Sequence, residues 1–198
     1  MGKKKRTKPG PLAGPTRFTG KQLLDGVPGP GGVRIGFAAL GEAGTVTALL
    51  KAAVDDLETG HLEALGVGQC GTWLVDALDG ADLGERLVRA AAAGEFQRAA
   101  GELSLPLVAR DGEGRVVGAL LGVPSGTVVS GLARSPGSRQ AVLLSMLTYA
   151  KIKAVAVSED ARRRGIGAAV LARCVQVYWQ LDYTLLFGEF DTERDLGP

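Results

Sequence analysis

Hydrophobic and polar positions follow two different periods in the stretch from Tyr149 to Leu181. Residues 149–157 are rich in β-branched and small apolar side chains, and they alternate in the period-two pattern of a β-strand. One side of this strand holds Ile152, Ala154 and Ala156, and the other holds Lys151, Lys153, Val155 and Val157. Further on, apolar residues recur at helical spacing, at Ile166, Val170, Cys174, Val177 and Leu181. The pattern therefore predicts a strand followed by an amphipathic helix.

The first part of the chain predicts a strand and two helices. Residues 33–40 are apolar and bounded by glycines, which favours a strand. An apolar stripe over residues 46–57 predicts a helix, and Gly60 is its expected end. Asp82 and Glu85 have the spacing of an N-cap and an acidic residue three positions later, so we expect a second helix to open there.

A β-hairpin is predicted in the middle of the chain. Residues 103–110 and 115–123 are apolar runs, and the polar, glycine-containing segment 111–114 between them is typical of a turn. Pro106 lacks a main-chain N–H group, so we expect the first of these strands to lie at a sheet edge or to be irregular.

The segments on either side of the Tyr149–Leu181 stretch are less regular in pattern. Residues 125–140 are polar and rich in glycine, which predicts a loop. Residues 141–147 fit either a short helix or the first half of a long central strand. Residues 183–190 are apolar and predict a final strand.

Charge and proline content set the N-terminal segment apart. Residues 1–31 hold seven basic residues and no acidic residue before Asp25, together with several prolines and glycines. Such a segment buries little apolar surface, so we expect residues 1–31 to be a disordered basic tail and residues 32–198 to be one domain. A polybasic arm for nucleic acid is the alternative to a solubilising leader, and the shortage of aromatic residues favours the leader.

The remaining composition excludes several classes of protein. The two cysteines and the single histidine, His61, are far apart and do not have the spacing of a zinc site or a disulfide framework, so no metal is expected. The longest apolar run is much shorter than a membrane span, and the basic N-terminus is not followed by an apolar segment. We therefore expect a cytoplasmic protein, and the abundance of alanine, glycine, valine and arginine suggests a bacterial source.

The turn between the strand and the helix has the features of an anion site. It reads Arg162-Arg163-Arg164-Gly165-Ile166-Gly167, an Arg-x-x-Gly-x-Gly sequence. The first N–H groups of a helix lack intrahelical partners and carry the positive end of the helix dipole, so they favour a phosphate. Glycine permits close approach of a ligand to the backbone, and no acidic residue occurs from Ala161 to Gln180. A solvated surface helix is the alternative, but such a helix would more usually begin with Ser, Thr, Asp or Asn and carry acidic residues in its first turn. Neither a dinucleotide-binding glycine motif nor a P-loop is present.

This strand, turn and helix resemble motif A of the GNAT superfamily of N-acetyltransferases. The resemblance implies an α/β (α+β) fold with a mixed, mostly antiparallel central sheet flanked by helices. It also implies that acetyl-CoA is the co-substrate, with its pyrophosphate on the amides of the turn and its pantetheine arm along the preceding strand. The cofactor-binding residues implied in this way are Val155, Ala156, Val157, Arg162, Arg163, Arg164, Gly165, Ile166, Gly167 and Ala168.

The sequence departs from the family after residue 190. Members of the family continue with a helix and two strands, and that helix usually supplies a tyrosine that protonates the departing CoA thiolate. We therefore expect a C-terminally truncated version of the fold, whose open sheet edge is covered in a homodimer. The missing acid also leaves a second function open, that of a non-catalytic or weakly active acyl-CoA-binding protein.

The resemblance implies transfer of an acetyl group to a primary amine. The expected acceptor is an amine-bearing small molecule or peptide, and neither nucleic acid nor a membrane is an expected partner. An oxyanion would be held by a main-chain N–H near Val157. Candidate general bases are Glu159 beside the turn and Glu189 and Asp191 after the last strand, and Tyr149 is a weaker polar candidate. For any one of these acids a solvated loop carboxylate is the favoured alternative. Asp55, Asp56 and Glu58, near His61, could line a substrate site for a cationic amine. A solvated helix face with a structural histidine is the commoner alternative for such a cluster.

Overall fold

The computed structural model describes residues 17–54, 57, 59–133 and 138–188. Within them, one sheet holds six strands in chain order, and every neighbouring pair is antiparallel except the last. The strands are β1 (Val27–Pro28), β2 (Arg34–Phe37), β3 (Leu105–Arg110), β4 (Val116–Pro124), β5 (Tyr149–Val157) and β6 (Leu185–Gly188). This mixed, mostly antiparallel sheet confirms the predicted fold class.

Helices cover both faces of the sheet and create two buried apolar clusters. The helices are α1 (Gly20–Asp25), α2 (Ala43–Ala53), α3 (Thr59–Gly66), α4 (Thr72–Leu78), α5 (Leu83–Ala92), α6 (Phe96–Glu102), α7 (Gly126–Ala133), α8 (Arg139–Thr148) and α9 (Ile166–Gln180). Short 3₁₀ turns, η1 (Pro30–Gly32), η2 (Leu40–Glu42) and η3 (Glu159–Ala161), lie between them. The larger cluster lies under α9, and the smaller one lies under α2 on the opposite face.

Helix α9 buries the face that its sequence predicts. Ile166, Val170, Cys174 and Val177 are each at most 1% exposed, and Tyr178 joins them. Leu181 follows the last helical residue and is only partly buried, and its N–H donates to the Val177 carbonyl at 3.2 Å. Burial of this stripe against β3, β4 and β5 fixes the helix on the sheet.

The predicted alternation of β5 is correct only in its second half. Leu121 pairs with Ala154, whereas the next residue, Gly122, pairs with Ile152, so Lys153 is an extra residue in a β-bulge. The bulge reverses the faces: Ile152 packs into the cluster under α9, while Ala154 belongs to the cluster under α2. The prediction that these two residues share a side is therefore wrong.

The hairpin of β3 and β4 is confirmed. Of the two alternatives for Pro106, the edge position is wrong, and the irregularity of β3 lies at a register shift between Ala109 and Arg110 instead of at the proline. β3 lies between β2 and β4 in the interior of the sheet and is regular at Pro106, which pairs with Leu121. Pro106 is the second residue of β3, beyond the last pair with β2, which is Leu107 with Phe37. Its carbonyl still accepts a hydrogen bond from Ala38 at 3.1 Å. Proline is tolerated because no ladder bond requires its missing N–H.

The expectation of a disordered segment up to residue 31 is wrong for residues 17–31, which are folded. Thr19 and Gln22 form a reciprocal capping box at the start of α1, and Leu23 is fully buried in the core. The Gln180 side chain of α9 donates to the Phe18 carbonyl and accepts from the Phe18 N–H, at 3.0 and 3.1 Å. Residues 1–16 lie outside the described part of the chain.

The other element predictions are partly confirmed. Asp82 caps α5 through the Glu85 N–H at 2.9 Å, and the helical alternative for residues 141–147 is correct. The loop predicted over residues 125–140 is wrong, because α7 and the start of α8 occupy its described part. Gly60 does not end a helix, since α2 stops at Ala53 and α3 begins at Thr59.

Candidate functional site

Strand β5 leads through Ser158 and the short η3 turn into the Arg-x-x-Gly-x-Gly turn, and the end of the strand is fixed to β4. The Ser158 N–H donates to the Val117 carbonyl at 2.9 Å, and the Ser158 hydroxyl donates to the same oxygen at 3.2 Å. Because main-chain groups alternate along a strand, those of Val155 and Val157 point away from β4, towards the β6 side. The described part of β6 pairs with β5 no further than Gly188 opposite Ile152. The Val155 and Val157 main chain therefore extends beyond that pairing.

The turn itself reverses the chain by means of two left-handed residues. After η3, Arg163 adopts φ 60° and Gly165 adopts φ 75°. Ile166 then enters the core at 1% exposure and begins α9. It lies over Gly118 of β4, where an added Cβ would approach the Ile166 Cγ2 at 3.1 Å. This packing places the first turn of α9 directly behind the end of β5.

A row of main-chain amides is left unpaired by this geometry. The first bond of α9 runs from the Ala169 N–H to the Gly165 carbonyl at 3.0 Å. Among the described residues, the N–H groups of residues 164–168 have no acceptor. The first turn of α9 holds no acidic residue. Gly167 faces the end of β5, since an added Cβ would lie 3.4 Å from Val157 Cγ2. The arrangement suits an anion next to the strand edge.

The three arginines of the turn have different surroundings. The Arg162 Nε donates to the Val157 carbonyl at 3.4 Å, so this side chain folds back towards β5. The Arg163 side chain is exposed. The Arg164 Nη2 donates to the Gly31 carbonyl at 2.7 Å, a contact between residues far apart in the sequence. All three add positive charge at the edge of the amide row.

Of the three candidate bases, only Glu159 lies within the described residues. Glu159 is exposed in η3, next to the turn, and its carbonyl accepts from the Arg162 N–H at 3.3 Å. Glu189 and Asp191 lie outside the described residues, as do Asp55, Asp56 and Glu58. His61 lies within α3.

The tyrosines of the chain lie away from the turn. Tyr149 is the first residue of β5, at the opposite end of a nine-residue strand, which at strand spacing is about 30 Å long. The Tyr178 and Tyr183 rings pack against each other with centroids 4.7 Å apart and planes tilted by 60°. Burial raises the pKa of both hydroxyls. The described chain therefore places no tyrosine hydroxyl beside the turn.

Sequence reasoning did not anticipate that the η1 turn touches the candidate site. Gly31 accepts from Arg164, and Pro30 lies near Gly165, because an added Cβ on Gly165 would be 3.8 Å from Pro30 Cγ. The Pro-Gly-Gly sequence followed by an apolar strand is a turn signal, but its basic and proline-rich setting favoured a tail.

The described residues contain no group of three or more His, Cys, Asp or Glu side chains close enough to share a metal ion. Cys70 and Cys174 are buried. Burial, assisted for Cys70 by the charge of Glu102, raises the pKa of each thiol to about 12. Neither thiol is therefore a ready nucleophile.

Solved structures with similar folds span most of this chain. A transcriptional regulator from Bacillus halodurans C-125 is 20% identical, with 83% of this chain and 86% of that chain covered and a TM-score of 0.44. A ribosomal-protein-alanine N-acetyltransferase from Brucella melitensis biovar Abortus 2308 is 14% identical, with 83% and 84% covered and a TM-score of 0.41. An aminoglycoside acetyltransferase from an uncultured soil metagenomic sample is 15% identical, with 83% and 81% covered and a TM-score of 0.44.

Sequence comparison assigns the family. None of the curated protein sequences compared matches this chain. The sequence profile of the Acetyltransferase (GNAT) family matches residues 76–194, which is more than half of the 198 residues and includes β5, the turn and α9. The protein whose turn presents this row of amides at the end of β5 therefore belongs to the acetyltransferase (GNAT) family.

Proposed function

We propose that this protein transfers an acetyl group from acetyl-CoA to a primary amine. Membership of the acetyltransferase family supports acyl transfer as the general chemistry. The observation that carries the finer proposal is the row of unpaired amides at residues 164–168, beside the edge of β5. It offers several donors to one diphosphate and has no acidic residue to oppose the charge.

Acetyl-CoA would bind along both parts of this site. Its pyrophosphate would accept hydrogen bonds from the amides at the start of α9, with Arg162 and Arg163 adding attraction. Its pantetheine arm would run along β5, where the main chain of Val155 points away from β4 and pairs with no described part of β6. Ala156, which lies between Val155 and Val157, faces the cluster under α2, so its methyl group packs inside the protein. In this arrangement the thioester would lie near Val157.

The reaction is attack of a neutral amine on the thioester carbonyl. The new C–N bond forms a tetrahedral intermediate, whose oxyanion accepts a hydrogen bond from the Val157 N–H. The C–S bond then breaks and the electron pair leaves on the CoA sulfur. The proton lost by the amine passes to a carboxylate, for which Glu159, Glu189 and Asp191 are the proposed bases, and the thiolate takes up a proton from water.

The position of the tyrosines supports a second candidate function. None of the three tyrosines lies near the turn, and the family's usual acid for the thiolate is a tyrosine hydroxyl. A placed acid or base contributes about 10²- to 10⁴-fold in rate. A protein without one would bind acyl-CoA and release its thiol slowly, which describes an acyl-CoA-binding protein.

Thermal melting and thiol release separate these functions. Acetyl-CoA is expected to raise the melting temperature as its concentration increases. A panel of amines, including aminoglycosides, polyamines and peptides, is then tested for amine-dependent release of CoA thiol. Stabilisation with thiol release supports the transferase, and stabilisation without release on any amine supports the binding protein. No stabilisation by acetyl-CoA at millimolar concentration would contradict both.

The acceptor and the assembly are further parts of the proposal. The acceptor is an amine-bearing small molecule or peptide, bound in the cytoplasm. A homodimer would cover the outer edge of β6, where Leu185 is 49% exposed, and size-exclusion chromatography with light scattering would test for it. No described helix is long and apolar enough to cross a membrane. Nucleic acid is not a proposed partner. A rise in the melting temperature on addition of RNA or DNA that disappears at high salt would contradict this part of the proposal.

A further inference from the structure

The η1 turn of the N-terminal segment lies against the proposed cofactor loop. The Arg164 Nη2 donates to the Gly31 carbonyl at 2.7 Å. A Cβ built on Gly31 would lie 3.1 Å from both Nε and Nη2 of Arg164, so the guanidinium rests directly on this residue. The contact joins the start of the fold to the start of α9.

The turn is firmly attached to the sheet. The Gly29 N–H donates to the Val33 carbonyl at 2.8 Å, and Val33 and Ile35 are each 1% exposed in the core. Gly31 and Gly32 both adopt left-handed backbone angles, φ 65° and 78°, which close the turn tightly. The carbonyl that Arg164 contacts is therefore held in place by buried residues.

The loop needs outside support to keep its amides aligned. Arg163 and Gly165 both have positive φ, and a non-glycine residue in that region persists only when its surroundings hold it there. Among the described residues Arg164 has no carboxylate partner, and its Nη2 donates to the neutral carbonyl of Gly31. The side chain thus links the loop to a fixed turn.

We propose that Arg164 is a positioning residue, which fixes the cofactor loop through Gly31 instead of binding a phosphate directly. This inference rests on the proposed function, since it concerns the affinity of the same loop for CoA. It divides the three arginines by role: Arg162 and Arg163 attract the phosphates, and Arg164 holds the amides of residues 164–168 in line.

Two glycine variants in the η1 turn test this division of roles among the three arginines. Gly31→Ala places a methyl group against the Arg164 guanidinium and strains the backbone, but it alters no charge. Gly32→Ala is the matched control, because Gly32 shares the left-handed conformation and an added Cβ there meets nothing within 4 Å. We expect Gly31→Ala to raise the Kd for CoA about tenfold and Gly32→Ala to change it less than about twofold.

A double-mutant cycle with Arg164→Ala completes the test, with CoA binding measured by calorimetry. If Arg164 acts through Gly31, Arg164→Ala raises Kd about tenfold and Gly31→Ala adds nothing to it. If Arg164→Ala raises Kd while Gly31→Ala leaves it unchanged, or if the two losses add in the double variant, the inference is overturned and Arg164 is a direct phosphate ligand. An unchanged Kd for Arg164→Ala would also overturn the inference. Failure of the unaltered protein to bind CoA would instead overturn the proposed function and this inference with it.

Discussion

Replacement of Gly165 by glutamate places a negative charge where the diphosphate is proposed to bind. An added Cβ at Gly165 meets only Pro30, at 3.8 Å, so the space around it is open. Because Gly165 has φ 75°, any side chain there costs about 1–2 kcal/mol in stability. Gly165→Gln is the matched control, since it has the same size and the same backbone cost and lacks only the charge.

The charge alone should weaken CoA binding strongly. Two unit charges about 5 Å apart repel by about 1 kcal/mol in water and by about 3 kcal/mol at an effective dielectric constant of 20. A diphosphate carries about two negative charges, so Gly165→Glu should lose at least about 2 kcal/mol more than Gly165→Gln. This difference corresponds to about a 30-fold higher Kd.

Calorimetric titration of CoA into both variants at low and high salt measures the effect. The two variants should melt at similar temperatures, and the gap between their Kd values should narrow at high salt, because ions screen exposed charges. Equal Kd values for the two variants at low salt would refute the location of the diphosphate.

Three further predictions concern stability, pH and thiol reactivity. Gly122→Ala should lower the melting temperature by about 4–8 °C, because overpacking costs about 2 kcal/mol. The added Cβ would lie 2.7 Å from the buried Tyr178 hydroxyl. Gly112→Ala is the control and should leave the melting temperature unchanged, since its added Cβ meets nothing within 4 Å. Burial opposes ionisation of Glu42, but hydrogen bonds from Arg110 and a main-chain N–H, with the Arg110 charge, outweigh it and lower the pKa of the carboxyl. The ionised Glu42 carboxyl therefore stabilises the folded protein at pH values above its unfolded-state pKa of about 4.3. This stabilisation is lost as the pH falls through the lower pKa of the folded state. The unaltered protein should therefore melt at a higher temperature than Glu42→Gln at pH 6, and this difference should shrink towards about pH 3. A difference that stays constant over this range would contradict the lowered pKa of Glu42. Burial raises the pKa of both cysteine thiols to about 12. A thiol reagent at pH 8 should therefore label neither cysteine in the folded protein and both cysteines in denaturant. Fast labelling of the folded protein would contradict the burial of the thiols.

The regular parts of the fold could be predicted from local patterns. Helix α9 is long, and its apolar residues fall on one face, so period and burial agree. Asp82 could be recognised as a cap because capping depends on a local side-chain bond.

Features set by tertiary contacts could not be predicted in this way. The bulge at Lys153 depends on the register with β4, which a single strand does not encode. Pro106 is tolerated because β2 ends before reaching it. Phe18 is held by Gln180, which lies far along the chain, so composition was a poor guide to the structure of residues 17–31.

The candidate site also has parts that local sequence patterns predict and parts that depend on tertiary contacts. The strand, the glycine turn and the helix follow from sequence patterns, and they place the amides of residues 164–168 at the end of β5. The contact between Arg164 and Gly31 required knowledge of which turn packs against the loop. The proposed bases Glu189 and Asp191 remain predictions, since they lie outside the described residues.

Titration of CoA into ¹⁵N-labelled protein, followed by NMR, shows whether the diphosphate binds to the amides of the turn. The amides of residues 164–168 donate no hydrogen bond to the described residues, so a diphosphate that binds there should shift their proton resonances downfield. Amides in the second half of α9, such as that of Val177, are already bonded within the helix and should move little. Saturable CoA binding that leaves the amides of residues 164–168 unchanged and shifts another surface would contradict the account.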